Sequence, residues 1–146
     1  MTGSPIEDSP LAAPKQSKKQ HSRIRSDHAT ELAEDYVEAI AEMIEDKGSC
    51  RAVDLADHFG VSHVTVNRTI GRLKRDGYVE TQPYRPIELT AKGKRIAKKS
   101  KERHEVVFEF LKALGVSESV AATDSEGIEH HVSIETLAAM RRFIER

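Results

Sequence analysis

The chain has 146 residues, a single cysteine, no tryptophan and a formal net charge of −1. That length suits one domain or two small ones sharing a core, and one thiol, Cys50, excludes an internal disulfide or a cysteine-rich metal site. No apolar run reaches the ~18–20 residues of a membrane span and no signal-peptide pattern opens the chain, so a soluble cytoplasmic protein is expected.

The small net charge hides an uneven distribution. Glu31–Asp46 holds seven acids and no Lys or Arg, Arg51–Arg103 holds thirteen Lys/Arg against six acids, and Ser117–Met140 holds five acids and no Lys or Arg. Charge runs are usually solvated helix faces, but a basic middle between acidic flanks also suits a protein that meets phosphate with one part and a cation with another.

Met1–Ser26 is polar, with Pro5, Pro10 and Pro14 followed by Lys15, Lys18, Lys19, Arg23 and Arg25. It is too poor in apolar residues to bury anything and reads as a disordered basic arm. Asp27–Asp46 is predicted as the first helix, capped by Ser26, Asp27 or Thr30 and stopped by Gly48. Tyr36, Val37, Ile40, Met43 and Ile44 form its apolar stripe. Asp35 and Glu38 lie i, i+3 apart on the opposite side, either solvated or covered by another element.

Arg51–Val79 then reads as a helix-turn-helix. A short helix turns Val53, Leu55, Ala56 and Phe59 inward, Gly60 permits a sharp turn, Val61 plugs the core and Ser62 caps a second helix. That helix buries Val66, Ile70 and Leu73 at i, i+4, i+7 and presents His63, Val64, Thr65, Asn67, Arg68 and Arg72 outward. A second helix with small polar residues in its first turns is the arrangement that enters a major groove. Tyr78–Gln82 and Ile87–Thr90 are predicted strands around Pro83-Tyr-Arg-Pro86, a β-wing with Arg85 at its tip. The bland alternative is a helical hairpin and ribbon with no nucleic-acid role.

Thr90 is predicted to cap a long helix reaching about Leu114. Its basic first half (Lys92 to Arg103) either flanks phosphates or is solvated; its second half carries Val106, Val107, Phe110, Leu111 and Leu114 on one side. His104 sits at the border of that stripe, where packing is the commoner role. Helical pattern resumes at Ser117. Within Asp124-Ser-Glu-Gly-Ile-Glu-His-His-Val-Ser133, Glu126, Glu129 and His130 at i, i+3, i+4 fall within roughly 100° of one helix face. Two carboxylates and an imidazole form a divalent-metal half-site suited to Mn, Fe or Zn, or else a solvated acidic face. His131 points ~140° away from Glu126. Ser133 caps a last helix, Ile134–Arg146, whose Leu137, Met140 and Ile144 extend the apolar surface toward a dimer interface.

These motifs, in this order, resemble the diphtheria-toxin-repressor family of metal-dependent transcriptional repressors, in its manganese-responsive branch. The resemblance runs from about Ala33 to Ile144 and rests on Glu34-Asp-Tyr-Val-Glu38, Arg103-His-Glu105 and Asp124–Ser133. It implies a dinuclear site: Asp35, Glu126, Glu129 and His130 around one ion, Glu38 and His104 around the second, with Glu129 bridging. It also implies DNA contacts from Ser62, Val64, Thr65 and Arg68. Iron-responsive members place Cys where this chain has Glu126 and Met where it has Asp35, so the ligand set implies Mn(II), with Fe(II) as the alternative. With Arg146 as its last residue, the chain is expected to have the two-domain form typical of the manganese branch, without the SH3-like C-terminal domain of iron-responsive members.

The expected fold is mainly α: a basic arm (1–26), an N-terminal winged helix-turn-helix (27–95) and a C-terminal all-helical metal-binding and dimerisation domain (96–146). The expected function is a homodimeric, Mn(II)-dependent DNA-binding repressor of manganese-uptake genes acting on a palindromic operator, with no enzymatic role, membrane partner or small organic ligand. The rivals are a dinuclear metal-dependent hydrolase, for which no nucleophile or general base accompanies the ligands, and a winged-helix regulator indifferent to metal.

Overall fold

The computed structural model describes residues 18–146, and of 19–28 the backbone alone. Helix α1 runs Lys18–Lys47, so it starts ahead of the Asp27 expected; residues 1–17 of the proposed arm lie outside the described residues. No Pro or Gly stands between Lys18 and Lys47, and extending a helix already nucleated by tertiary packing is cheap even for polar residues. Composition marks this segment as unable to bury surface, but burial is not required of it.

Helix α2, Ala52–Phe59, ends at Gly60, which takes the left-handed conformation (φ 64°, ψ 37°) that a β-carbon disfavours. Helix α3, His63–Arg75, is capped by Ser62, whose Oγ accepts from the Thr65 amide at 3.2 Å. Strands β1, Val79–Glu80, and β2, Glu88–Leu89, pair antiparallel with Val79 opposite Leu89. They are shorter than the sequence predicts and carry the wing between them. Tyr84 in that wing is almost wholly exposed with φ 64°.

One apolar cluster holds this half together. Tyr36 and Ile40 of α1 meet Leu55 of α2, Val66, Ile70 and Leu73 of α3, and Val79 and Ile87 around the sheet. Tyr36 stacks on Phe59 at 4.5 Å. Val53 and Val61, expected to face inward in the helix-turn-helix, are exposed instead. Val53 is 46% exposed and Val61 is 37% exposed. Val53 lies two residues, ~200°, from Leu55 and so faces away from the core that Leu55 fills. Val61 sits in the turn after Gly60, partly covered rather than inserted.

Helix α4, Ala91–Ala113, is the spine of the molecule, packing against α1 and also against α5, Glu118–Ile128, and α6, Ile134–Ile144. Its start is locked to the winged half. Thr90 Oγ1 donates to the Gly77 carbonyl at 2.6 Å, and the Thr90 amide donates to the Tyr78 carbonyl at 3.0 Å. Gly93 comes so close to that strand that a β-carbon there would stand 2.1 Å from the Tyr78 carbonyl oxygen. At the other end Phe110 meets Phe143 of α6 edge-on at 5.4 Å. Yet α6 has no buried residue, and Leu114, Val120, Ile134 and Phe143 remain exposed.

Candidate metal centre and nucleic-acid interface

The acidic face of α1 packs on α4 and on the end of α5, and the ligand-type residues meet there. Helix α5 ends at Ile128, but Glu129 keeps right-handed helical angles (φ −56°, ψ −31°), so Glu129 and His130 project from its last turn much as a continued helix would place them. Glu129 is 2% exposed. Its Oε2 lies 3.0 Å from His104 Nδ1 of α4, and its Oε1 lies 3.2 Å from His130 Nε2. His130 Nε2 in turn lies 2.9 Å from Asp35 Oδ1 of α1. Glu38 is half-buried beside them, its Oε2 accepting from Ser100 Oγ of α4 at 2.7 Å. Glu126 is exposed one turn earlier on α5, close enough for its charge to be felt at both Glu38 and Glu129. The six sequence-predicted residues therefore converge: Asp35, His104, Glu129 and His130 in direct contacts, with Glu38 and Glu126 close enough for their charges to be felt there.

Burial pushes the Glu129 carboxyl up to about 8, and the neighbouring carboxylates of Glu38, Glu126 and Asp35 push the same way against His130. Burial opposes a charged His130, but the Asp35 and Glu34 carboxylates outweigh it and, with Glu129, hold the imidazole up to about 10. Glu38 is raised as well, first by burial, with the Ser100 hydrogen bond opposing. Like charges crowded out of water are thus kept tolerable by protons.

Two atoms in the cluster stay unsatisfied. Glu129 Oε2 and His130 Nε2 are buried, and neither completes an aligned hydrogen bond despite the short distances around it. Buried polar atoms without partners are rare, and an ion is one of their standard explanations. The donors are carboxylate oxygens and imidazole nitrogens with no sulfur among them; Cys50 is buried in the winged half against Met43. The residues fit a divalent cation of intermediate hardness.

Three neighbours escaped the sequence reading. Glu34 Oε2 lies 2.6 Å from His130 Nδ1. Glu31 falls with Asp35 and His130 in a group whose ligand atoms lie within 4.8 Å of one another. Ser100 holds Glu38. Glu31 precedes Asp35 by one helical turn, a spacing that could have flagged it; Ser100 is visible only through the α1–α4 packing. His131 Nε2 lies 3.2 Å from Glu31 Oε2 of that group.

On the other side of the molecule α3 keeps Val66, Thr69, Ile70 and Leu73 inward. Ser62, His63, Val64, Thr65, Asn67, Arg68 and Arg72 are exposed, Val64 to 67%, and Arg85 is exposed on the wing. Not every basic side chain nearby is free. Lys92 Nζ donates to the Asp76 carbonyl at 2.8 Å over the Tyr78 ring, and Lys74 Nζ donates to the Thr81 carbonyl at 3.3 Å.

Residues 28–87 match the family model described as iron dependent repressor, N-terminal DNA binding domain, and residues 90–146 match its metal binding and dimerisation domain. The chain belongs to the iron-dependent repressor family. It is 46% identical over 124 residues to the transcriptional regulator MntR of Escherichia coli O6:H1, across 85% of this chain and 80% of that one. It is 41% identical over 104 residues to the HTH-type transcriptional regulator MntR of Bacillus subtilis, across 71% and 73%. A solved manganese-dependent transcriptional repressor in complex with manganese superposes with a TM-score of 0.70 at 28% identity. That likeness covers 77% of this chain and 52% of the other, so the chain spans about half the length of that structure. As an iron-dependent repressor family member, the chain is a transcriptional regulator rather than an enzyme, with a DNA-binding domain followed by a metal-binding and dimerisation domain. Among the described residues no helix is long and apolar enough to cross a membrane.

Proposed function

We propose that this regulator is a homodimeric, Mn(II)-activated repressor of manganese-uptake genes that binds a palindromic operator. The observation that carries the reading is the buried cluster joining α1 to α4 and to the end of α5, in which Glu129 Oε2 and His130 Nε2 lack partners. Asp35, Glu126, Glu129 and His130 would hold one ion, and Glu38 and His104 a second, with Glu129 shared. A bound cation supplies the positive charge that lets these carboxylates share one buried space without protons. The sulfur-free donor set and the likeness to a manganese-dependent repressor solved with manganese favour Mn(II) over Fe(II).

The chain's own architecture accounts for coupling. Tyr36 and Ile40 embed α1 in the core of the reading head, while Asp35 and Glu38 on the same helix face α4 and α5. Thr90 and Gly93 fasten α4 to the wing base. Charge balance at the cluster therefore governs how firmly the reading head is seated on the dimerisation half, and hence the separation of two heads in a dimer. A coupling of ~1–3 kcal/mol is enough for regulation. Ser62, Val64, Thr65 and Arg68 would meet the major groove, and Arg85 the flanking backbone.

The test is footprinting on DNA upstream of the protein's own gene and of candidate uptake genes, with micromolar Mn(II) and with chelator. Protection of a two-fold symmetric site that needs Mn(II) is the expected result. Equal protection in chelator would remove metal control from the account.

A further inference from the structure

The carboxylate nearest His130 is not one of the proposed ligands. Glu34 Oε2 lies 2.6 Å from Nδ1, with the two side chains only 12% and 1% exposed. The other ring nitrogen, Nε2, is the one that faces Asp35 Oδ1 at 2.9 Å and Glu129 Oε1 at 3.2 Å. Glu34 and the donor cluster thus lie on opposite sides of one imidazole. A histidine that offers the lone pair of one nitrogen to a cation carries its proton on the other, and that buried N–H needs an acceptor.

Building on the metal reading above, we propose that Glu34 is a positioning residue for His130. It accepts from Nδ1–H, so the neutral ring keeps its proton there, and it fixes the ring plane so that the Nε2 lone pair points into the cluster. An oxygen committed to Nδ1 at this distance stands behind the ring, so Glu34 acts through His130 and not as a ligand. Such partners orient the imidazole and raise its basicity, and their loss typically costs about 10–100-fold in metal affinity. Glu34 adjoins Asp35 on α1, so one turn of that helix supplies both a donor and the support for another donor from α5.

The experiment is Mn(II) titration of the full chain by calorimetry, comparing wild type, Glu34→Ala, Glu34→Gln and His130→Ala, with melts in chelator alongside. Glu34→Ala should weaken one class of sites by about 10–100-fold. Glu34→Gln, which keeps a carbonyl acceptor, should retain most of that affinity. Wild-type affinity in Glu34→Ala would overturn the proposal. So would Glu34→Gln falling as far as Glu34→Ala, since charge and not acceptance would then be what matters. A second readout does not depend on affinity. In the Zn(II)-loaded protein, nitrogen-15 NMR should show a slowly exchanging His130 Nδ1–H in wild type and Glu34→Gln; its absence from the wild type would also overturn the proposal. His130→Ala binding its full complement of ions would instead defeat the metal assignment itself, whatever Glu34 does.

Discussion

His130 Nε2, at the end of α5, stands 2.9 Å from Asp35 Oδ1 on α1. One residue belongs to the dimerisation half and the other to a helix whose opposite face, through Tyr36 and Ile40, is core of the reading head. Any change in charge between them acts directly on the junction of the two halves.

Protons are the first such change. Glu129 goes from 4.5 to about 8, chiefly through burial. His130 goes from 6.5 to about 10 because Asp35 and Glu34 outweigh its burial. Each binds its proton more tightly in the folded chain, so each contribution to stability is full below the unfolded value and is lost as pH rises through the folded one. The metal-free protein should therefore melt at a lower temperature at about pH 9 than at about pH 6. Mn(II) affinity should rise over the same interval, because the ligands must first lose those protons. Melts in chelator that are flat or rising between those pH values would contradict the assignment.

Glu129→Gln isolates the carboxyl. An amide copies the shape of the protonated acid without its titration, so in chelator the variant should equal the parent at acidic pH and exceed it above about pH 8. Mn(II) binding should nevertheless be lost or severely weakened, since the carboxylate charge has gone. Calorimetry and thermal melts on one preparation check both halves; a variant that still binds Mn(II) like the parent would remove Glu129 from the centre.

Gly93→Ala probes the fastening of the two halves. Its β-carbon would lie 2.1 Å from the Tyr78 carbonyl oxygen, so backbone must move. Overpacking of this kind costs ~1–3 kcal/mol, sometimes more. Urea melts should show that loss, while Mn(II) stoichiometry should survive, because the proposed ligands lie on α1, farther along α4 and at the end of α5. Unchanged stability would mean that the α4–wing joint is looser than its hydrogen bonds suggest.

Arg68→Ala tests the exposed side of α3. If Arg68 reads a guanine edge, the variant should lose about 1–3 kcal/mol of operator affinity and relax preference at one base pair. A phosphate contact would instead weaken all sequences evenly and flatten the salt dependence. Unaltered binding would exclude Arg68 from the interface.

Much of this was legible because periodicity and capping are local. Ser62, Thr90 and Ser133 stand at the caps expected of them, each accepting from the amide three residues on, and Val66, Ile70 and Leu73 face inward as their spacing requires. Asp35 and Glu38, on the far side of an amphipathic helix, could be read only as solvated or covered, and they meet His130 and Ser100. What was missed was of two kinds. Val53 is turned outward by a helical phase, ~200° from Leu55, that the sequence already carried. Helix α1 begins at Lys18, inside the segment whose composition suggested a disordered arm. Glu34 and Ser100 gain their roles only when α1 settles on α4 and α5, and no spacing along the chain encodes those distances.

Whether an ion shared between the halves carries the signal is addressed most directly by His104→Ala. His104 meets Glu129 at 3.0 Å from α4, and its ring lies parallel to Phe108 at 6.3 Å, so melts in chelator must accompany the binding data. Mn(II) calorimetry paired with operator-binding anisotropy should show one ion lost per subunit, the other retained, the dimer intact and the response at the operator weak. Both ions still bound, or one ion bound with full activation of DNA binding, would contradict the bridging mechanism while leaving the winged helix standing.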